Sequence, residues 1–273
     1  MFFRNSAAHV RRTEIFKDTE LWYVTDETLI DAVRNSIDHT KIYFDGDTPA
    51  LPDKKFERTQ VVVNRQRSFE AARNAHIDSP SARIGVLNFA SATTPGGGVK
   101  NGAAAQEECL CRCSTLYPAL VTDYARKNFY SPHRRQKNPL HNDDCIYTPD
   151  VLVIKSDVAE PERLDRSEWL TVDVITCAAP KLRTVDIDDA QQLELHVKRG
   201  RQILAVAAVN NIDVMILGAF GCGAFMNDPN IVAAAYRKIL PDFDGIFERI
   251  VFAVYCSPRS DKNFVAFNDI LNN

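Results

Sequence analysis

Two glycine-rich segments, each set between an apolar strand pattern and a helical pattern, limit what this chain can become. The first is Pro95-Gly96-Gly97-Gly98. The second runs through Gly218, Ala219, Phe220, Gly221, Cys222, Gly223, Ala224 and Phe225. Of only 11 glycines, seven sit in or beside these segments, Gly102 included. Glycine lets the backbone adopt positive φ and approach a ligand without a Cβ in the way. Three in a row carry a high cost in chain entropy, which a simple turn rarely requires. A strand, a glycine turn and a helix N-terminus together bind anions.

The pattern around these turns alternates between strand and helix. Residues 5–17 and 26–37 predict N-terminal helices, the second with Leu29, Ile30, Val33 and Ile37 close to a helical period. Strands are expected at 41–44, 59–64, 84–89, 150–155, 172–177, 214–218 and 249–254. Helices are expected at 68–75, 103–116, 119–130, 189–210, 229–240 and 261–271. Residues 131–144 are polar and read as a surface loop, with a short basic run at His133, Arg134, Arg135 and Lys137. Such alternation implies a three-layer α/β domain with a mixed, mostly parallel central sheet. Ligands bind such sheets at the carboxyl ends of strands, which is where both glycine turns fall.

Composition narrows the partners. A net charge of −3 argues against a broad nucleic-acid footprint. No apolar run approaches a membrane span, and the charged stretch Met1 to Glu20 has no signal-peptide core. Seven cysteines, an odd number, favour reduced thiols in a cytosol-like compartment. Cys109, Cys111 and Cys113 lack the second pair a zinc site needs and read as buried thiols. The six histidines show no metal spacing, and Cys222 has no histidine placed beside it by motif.

Candidate acid–base chemistry lies in Glu107 and Glu108 of the segment Gln106-Glu107-Glu108, which seven residues separate from Gly98. Adjacent helical residues project about 100° apart, so the two carboxylates cannot flank one bond from opposite sides. One would perform proton transfer and the other would position substrate or brace the turn. The helix dipole favours ionisation and burial opposes it, and sequence leaves that contest open. The second loop is neither a dinucleotide fingerprint nor a Walker loop, yet it offers backbone N–H groups to a diphosphate.

Three glycines, seven residues and Gln-Glu-Glu resemble the signature of the microbial-type poly(ADP-ribose) glycohydrolases, a branch of the macrodomain fold. Asn88-Phe89-Ala90-Ser91, Tyr147 to Val151, Ala178-Ala179-Pro180 and Gly218 to Pro229 are also similar to that family, so the resemblance spans roughly residues 20–270. It implies hydrolysis of the ribose–ribose O-glycosidic bond from the polymer end, releasing ADP-ribose, without a metal or cofactor. Glu108 would be the general acid and base, and Glu107 would hold ribose hydroxyls. Gly96, Gly97, Gly98, Val99 and Gln106 would contact substrate. Gly221, Cys222, Gly223 and Ala224 would cradle the diphosphate, Phe225 would pack on the terminal ribose, and Asn88 would lie near it. Phe220 stands where several bacterial relatives have tryptophan. Phe252, Tyr255, Asn263 and Phe264 are candidate walls of an adenine pocket. The resemblance implies a helical extension over 1–45 packed on a catalytic domain over 46–273, forming one structural unit. A mono-ADP-ribosyl hydrolase or a non-catalytic ADP-ribose reader would use the same pocket.

Overall fold

The computed structural model describes residues 7–47, 49–257 and 260–272. The helix expected from residue 5 is present as α1 (Ala7–Thr25), its first two expected positions lying outside the described residues. Next come α2 (Glu27–Asp38), β1 (Lys41–Tyr43), β2 (Gln60–Asn64), α3 (Ser68–Asp78), β3 (Ile84–Phe89) and α4 (Gln106–Cys113). The chain continues with α5 (Leu116–Leu120), α6 (Asp123–Ala125), α7 (Ser131–Gln136), β4 (Cys145–Val153), β5 (Leu170–Cys177) and α8 (Asp189–Val209). It ends with β6 (Val214–Leu217), α9 (Pro229–Ile239), β7 (Arg249–Ala253) and α10 (Lys262–Leu271).

The strands form one seven-stranded sheet in the order β1-β4-β5-β3-β6-β7-β2. β1–β4 and β4–β5 are antiparallel, and every other pair is parallel. Side chains alternate between faces along each strand. Val86, Val174, Ile216 and Val251 accordingly join one core with Phe16, Phe69, Leu110 and Leu116. Their neighbours Leu87, Ile175, Leu217 and Phe252 join the other, with Leu204, Val232, Tyr236 and Phe267. Both faces are therefore covered, as a largely parallel sheet requires.

Two departures from expectation have physical causes. α4 stops at Cys113 because Ser114 is extended and bridges Val153, while the Thr115 N–H donates to the Leu152 carbonyl at 3.0 Å. Sheet edge pairing overrides helical propensity there. Pro118 then sits in the first turn of α5, where an N–H would have no partner within the helix. The second departure is 131–144, which is not a surface loop throughout. Its first half is α7, with His133 buried, and Asp143 and Asp144 are buried at its end. The buried Arg199 of α8 draws Asp143 inward, Nε to Oδ1 at 2.9 Å, and donates to the Ala178 carbonyl at 2.8 Å.

The N-terminal helices are attached to the parts that position the site. Thr19 Oγ1 of α1 donates to the Arg112 carbonyl of α4 at 2.6 Å, and Arg12 Nε donates to the Gly102 carbonyl at 2.6 Å. β1, placed by sequence in the extension, is an edge strand of the central sheet. Gly102, at φ +72°, lies directly against the His9 backbone carbonyl. Gly102→Ala therefore combines a left-handed alanine with a clash against helix backbone. We expect a loss of about 2–4 kcal/mol of unfolding free energy, read as a lowered calorimetric Tm.

Candidate active site

The first glycine turn and the acidic doublet hold each other. The Gly98 N–H donates to Glu108 Oε1 at 2.8 Å, and the Ser91 N–H donates to Glu107 Oε2 at 2.8 Å. Gly96 and Gly97 have φ of +67° and +57°. A Cβ on Gly97 would meet Glu108 Oε1 directly and Glu107 Oε2 at 2.9 Å, so the turn closes over both carboxylates. A Cβ on Gly96 would strike the Tyr117 ring at 2.7 Å. Asn88, buried at the end of β3, places Nδ2 3.5 Å from Glu107 Oε1 and 3.2 Å from Thr176 Oγ1. Gln106 fixes the start of α4 to the sheet. Its Nε2 donates to the Leu87 carbonyl at 2.7 Å and to Ser68 Oγ at 3.0 Å, and its Oε1 accepts from the Phe89 N–H at 2.9 Å.

Burial wins the contest over Glu107. It pushes the carboxyl up to about 8, against the Ser91 N–H, while the neighbouring Glu108 charge adds to the rise. Glu107 therefore carries its proton at neutral pH. The dipole of the eight-residue α4, worth about 0.3–1 kcal/mol, does not offset that desolvation. Glu108 is also buried, and its Oε2 has no protein partner. A buried polar oxygen left unpaired costs about 1–3 kcal/mol unless something else meets it.

The second turn follows β6. Gly218 packs where a Cβ would meet the Ala253 carbonyl at 2.6 Å. Gly221, at φ +79°, is held by Asn227, whose Nδ2 donates to the Gly221 carbonyl at 3.0 Å and to the Pro180 carbonyl at 2.7 Å. Asn227 Oδ1 faces His196 Nε2 at 2.8 Å. Burial pulls His196 down to about 4, so the ring is neutral and donates there. With the Asn227 amide pinned, the loop tip is left open. The N–H groups of Gly221, Gly223, Ala224 and Phe225 have no acceptor among the described residues. A Cβ on Gly223 would meet nothing within 4 Å, so the space above it is open.

Both turns line one cleft of about 380 Å³. Of the residues singled out in the sequence, Glu107, Glu108, Gly97, Gln106, Gly221, Gly223, Ala224 and Phe225 border it, as do Tyr255 and Asn263. Asn88 lies beneath Glu107, and Gly96 and Gly98 stand behind the carboxylates. Val99, expected at the substrate, is instead buried in the core around Tyr117, because the short helical turn after Gly98 points it inward. Cys222 also turns from the cleft and packs on the core, with Sγ 3.7 Å from the Phe220 carbonyl. Phe252 is a core residue, and Phe264 lies outside the cleft beneath the Arg65 guanidinium. Cys111 and Cys113 are buried, whereas Cys109 borders the cleft beside Arg112.

At the other end of the cleft sequence reasoning named Tyr255 and Asn263 but missed Arg67 and Asp157. Arg67, just before α3, stacks over the Tyr255 ring at 4.3 Å. Asp157 accepts from the Phe69 N–H at 3.0 Å through Oδ2, and its buried Oδ1 has no hydrogen-bond partner. Neither residue belongs to a motif. Arg67 and Tyr255 meet because β2 and β7 are adjacent, a pairing that local pattern does not reveal.

The family model described as microbial-type PARG, catalytic domain, matches residues 14–156. Comparison with curated proteins gives no match. Among solved structures, poly(ADP-ribose) glycohydrolase (PARG) from Thermomonospora curvata is 30% identical, with 96% of this chain and 99% of that chain covered and a TM-score of 0.85. The same protein bound to the inhibitor ADP-HPD is 31% identical over the same shares, with a TM-score of 0.84. The Deinococcus radiodurans PARG in complex with ADP-ribose is 31% identical, covering 88% of this chain and 96% of that one, with a TM-score of 0.77.

The raised Glu107 group has a signature in stability. A group raised in the folded state stabilises fully below its ordinary value of 4.5, and this contribution is lost as pH climbs toward about 8. The Tm difference between wild type and Glu107→Gln should therefore shift against wild type across that window and level off above it. Thermal melts from pH 4 to pH 9 check this.

Proposed function

The chain belongs to the microbial-type poly(ADP-ribose) glycohydrolase family and is a glycosidase that hydrolyses poly(ADP-ribose), and from that premise we propose how its residues divide the work. Glu108 is the general acid and base. It gives its proton to the leaving ribose oxygen and, as carboxylate, draws one from the water that attacks the oxocarbenium-like centre. The observation that carries this assignment is the Glu108 carboxyl itself. One oxygen is fixed by the Gly98 N–H, the other is buried and unpartnered, and the residue borders the shared cleft.

Glu107 has a different part. Held by Ser91 and neutral at pH 7, it can donate its O–H to a ribose hydroxyl and accept a hydrogen bond in return. It adds no second negative charge beside the anionic substrate. The free N–H groups of Gly221, Gly223, Ala224 and Phe225 receive the diphosphate. Phe225 borders the ribose between that loop and the carboxylates. The base of the bound unit lies at the Arg67–Tyr255 end, where Asp157 Oδ1 offers an acceptor. With one ADP-ribose unit filling the cleft in this direction, the polymer is cut from its end.

Glu108→Gln tests the central role. We expect turnover of automodified polymer to fall by about 10²–10⁴, with ADP-ribose affinity by calorimetry changed less than threefold. Retained release of free ADP-ribose by this variant would refute the assignment. Wild-type protein that cleaves singly modified protein but not polymer would instead favour a mono-ADP-ribosyl hydrolase. Binding without any turnover would mark a reader.

Gly97→Ala probes the same geometry without removing a carboxyl. The added methyl displaces both carboxylates at once. kcat should drop by about 10²-fold, as expected for misplacement on the scale of 1 Å, with the fold retained by circular dichroism.

A further inference from the structure

The sheet order arranges chemical roles along the cleft. Arg67 and Tyr255 follow β2 and β7 at one end, the loop of free amides follows β6, and the carboxylates stand beside β3. Beyond them, β5 runs into residues 178–183, and this side presents cations. Arg134 of α7 donates from Nη1 to the Thr93 carbonyl at 2.7 Å and from Nη2 to Ser131 Oγ at 2.8 Å. Its guanidinium is thus held against the segment whose Ser91 N–H binds Glu107. The Arg183 N–H donates to the Phe225 carbonyl at 3.2 Å, and the Lys181 N–H donates to the Pro139 carbonyl at 2.8 Å. Lys181 acts electrostatically on His141, whose ring centre is 6.3 Å from that of Phe225.

Arg134 and Arg183 are exposed and Lys181 is half-buried, and their pairing differs from that of other cations in this protein. Arg199 pairs with Asp143, Arg83 with Asp173 and Arg163 with Asp18. Arg134, Lys181 and Arg183 have no carboxylate within ion-pair distance among the described residues. Of the acids that follow Arg183, Asp188 is engaged at the start of α8, accepting from the Gln191 N–H at 2.8 Å. Three charges, one of them tied by its backbone to the cleft wall at Phe225 and one held at Thr93 two residues from the wall residue Ser91, are therefore free to meet an anion.

The substrate supplies one. Each unit of poly(ADP-ribose) carries a pyrophosphate, and the amide loop accounts for only the pyrophosphate of the unit in the cleft. The chain on the other side of the scissile bond leaves past Glu108, toward α7 and residues 181–183. We propose that Arg134, Lys181 and Arg183 hold the pyrophosphate of the first unit on the leaving side, and so favour polymer over singly modified substrates. This rests on the assignment of Glu108 and on the direction of the bound unit given above. Phosphate contacts of this kind weaken with salt.

The test uses the whole 273-residue chain. In a Glu108→Gln background, affinities are measured for ADP-ribose and for a two-unit ADP-ribose dimer at low and high salt. The dimer should bind more tightly, with an advantage that shrinks as salt rises. Lys181→Gln/Arg183→Gln should remove that advantage while leaving ADP-ribose affinity unchanged. With Glu108 restored, the same pair of changes should raise KM for polymer about five- to tenfold at unchanged kcat. Arg134→Gln should act in the same direction, and Arg134→Lys should restore most of the loss. Dimer and ADP-ribose affinities that fall equally, or a dimer advantage untouched by the variants, would overturn the proposal. Failure of the wild type to release ADP-ribose from polymer would instead overturn the catalytic assignment, and the dimer comparison would still decide the cationic strip.

Discussion

The site depends on a closed exchange between backbone and carboxyl groups. Gly98 and Ser91 each give an N–H to one of two adjacent glutamates, and Gly97 lies so close to both that no side chain fits. Neither partner is stable alone. Two carboxyl groups buried side by side repel and lose hydration. A triple-glycine turn has a large entropy to lose. Together, the turn gains fixed contacts and the acids gain donors. One acid resolves the remaining conflict by keeping its proton, and the other keeps a buried oxygen with no protein partner. In the proposed mechanism this is preorganisation: the polar groups assigned to the reaction are oriented before substrate arrives.

The second turn is organised by a different device. A neutral, buried His196 fixes Asn227, and Asn227 fixes the carbonyls of Gly221 and Pro180. Consuming the carbonyls within the protein leaves the N–H groups facing out. The sign of the pocket is thereby set by backbone direction, without a formal positive charge inside it. The Arg199–Asp143 pair holds the adjoining carbonyl of Ala178 from behind. Such a buried pair adds little stability by itself but costs several kcal/mol if one partner is removed.

Much of this was readable in the chain. Strand and helix periodicities located β2, β3, β5, β6 and β7, because a buried parallel sheet writes continuous apolar runs, whereas the pattern at 150–155 covers only the second half of the antiparallel β4. The spacing from Gly98 to Gln106 located the carboxylates, because a turn of fixed reach must bring them back to itself. What escaped reading was set by distant partners. Ser114 leaves the helix to pair with Val153, and Asp143 is buried only because Arg199 comes from another element. Gln106 borders the cleft as the sequence suggests, and the further bonds of its amide to Leu87, Phe89 and Ser68 depend on other elements. Val99 was grouped with the turn beside it, and a single turn of helix rotates it into the core. Asp157 and Arg67 carry no pattern at all.

The pairing of β2 with β7 has a consequence for how the protein comes into being. Gln60 lies opposite Arg249, so the two strands that carry Arg67 and Tyr255 are joined across most of the chain. Closing so long a loop is entropically unfavourable and slow relative to local contacts. The acid-bearing turn, by contrast, is built from residues within about twenty positions of each other. During synthesis the acid-bearing turn can take shape once β5 and β6 have joined β3, before β7 has been made. The proposed shelf for the base waits for the last strand, and an enzyme interrupted before it would have its acid and its amide loop but no Tyr255 to seat the base.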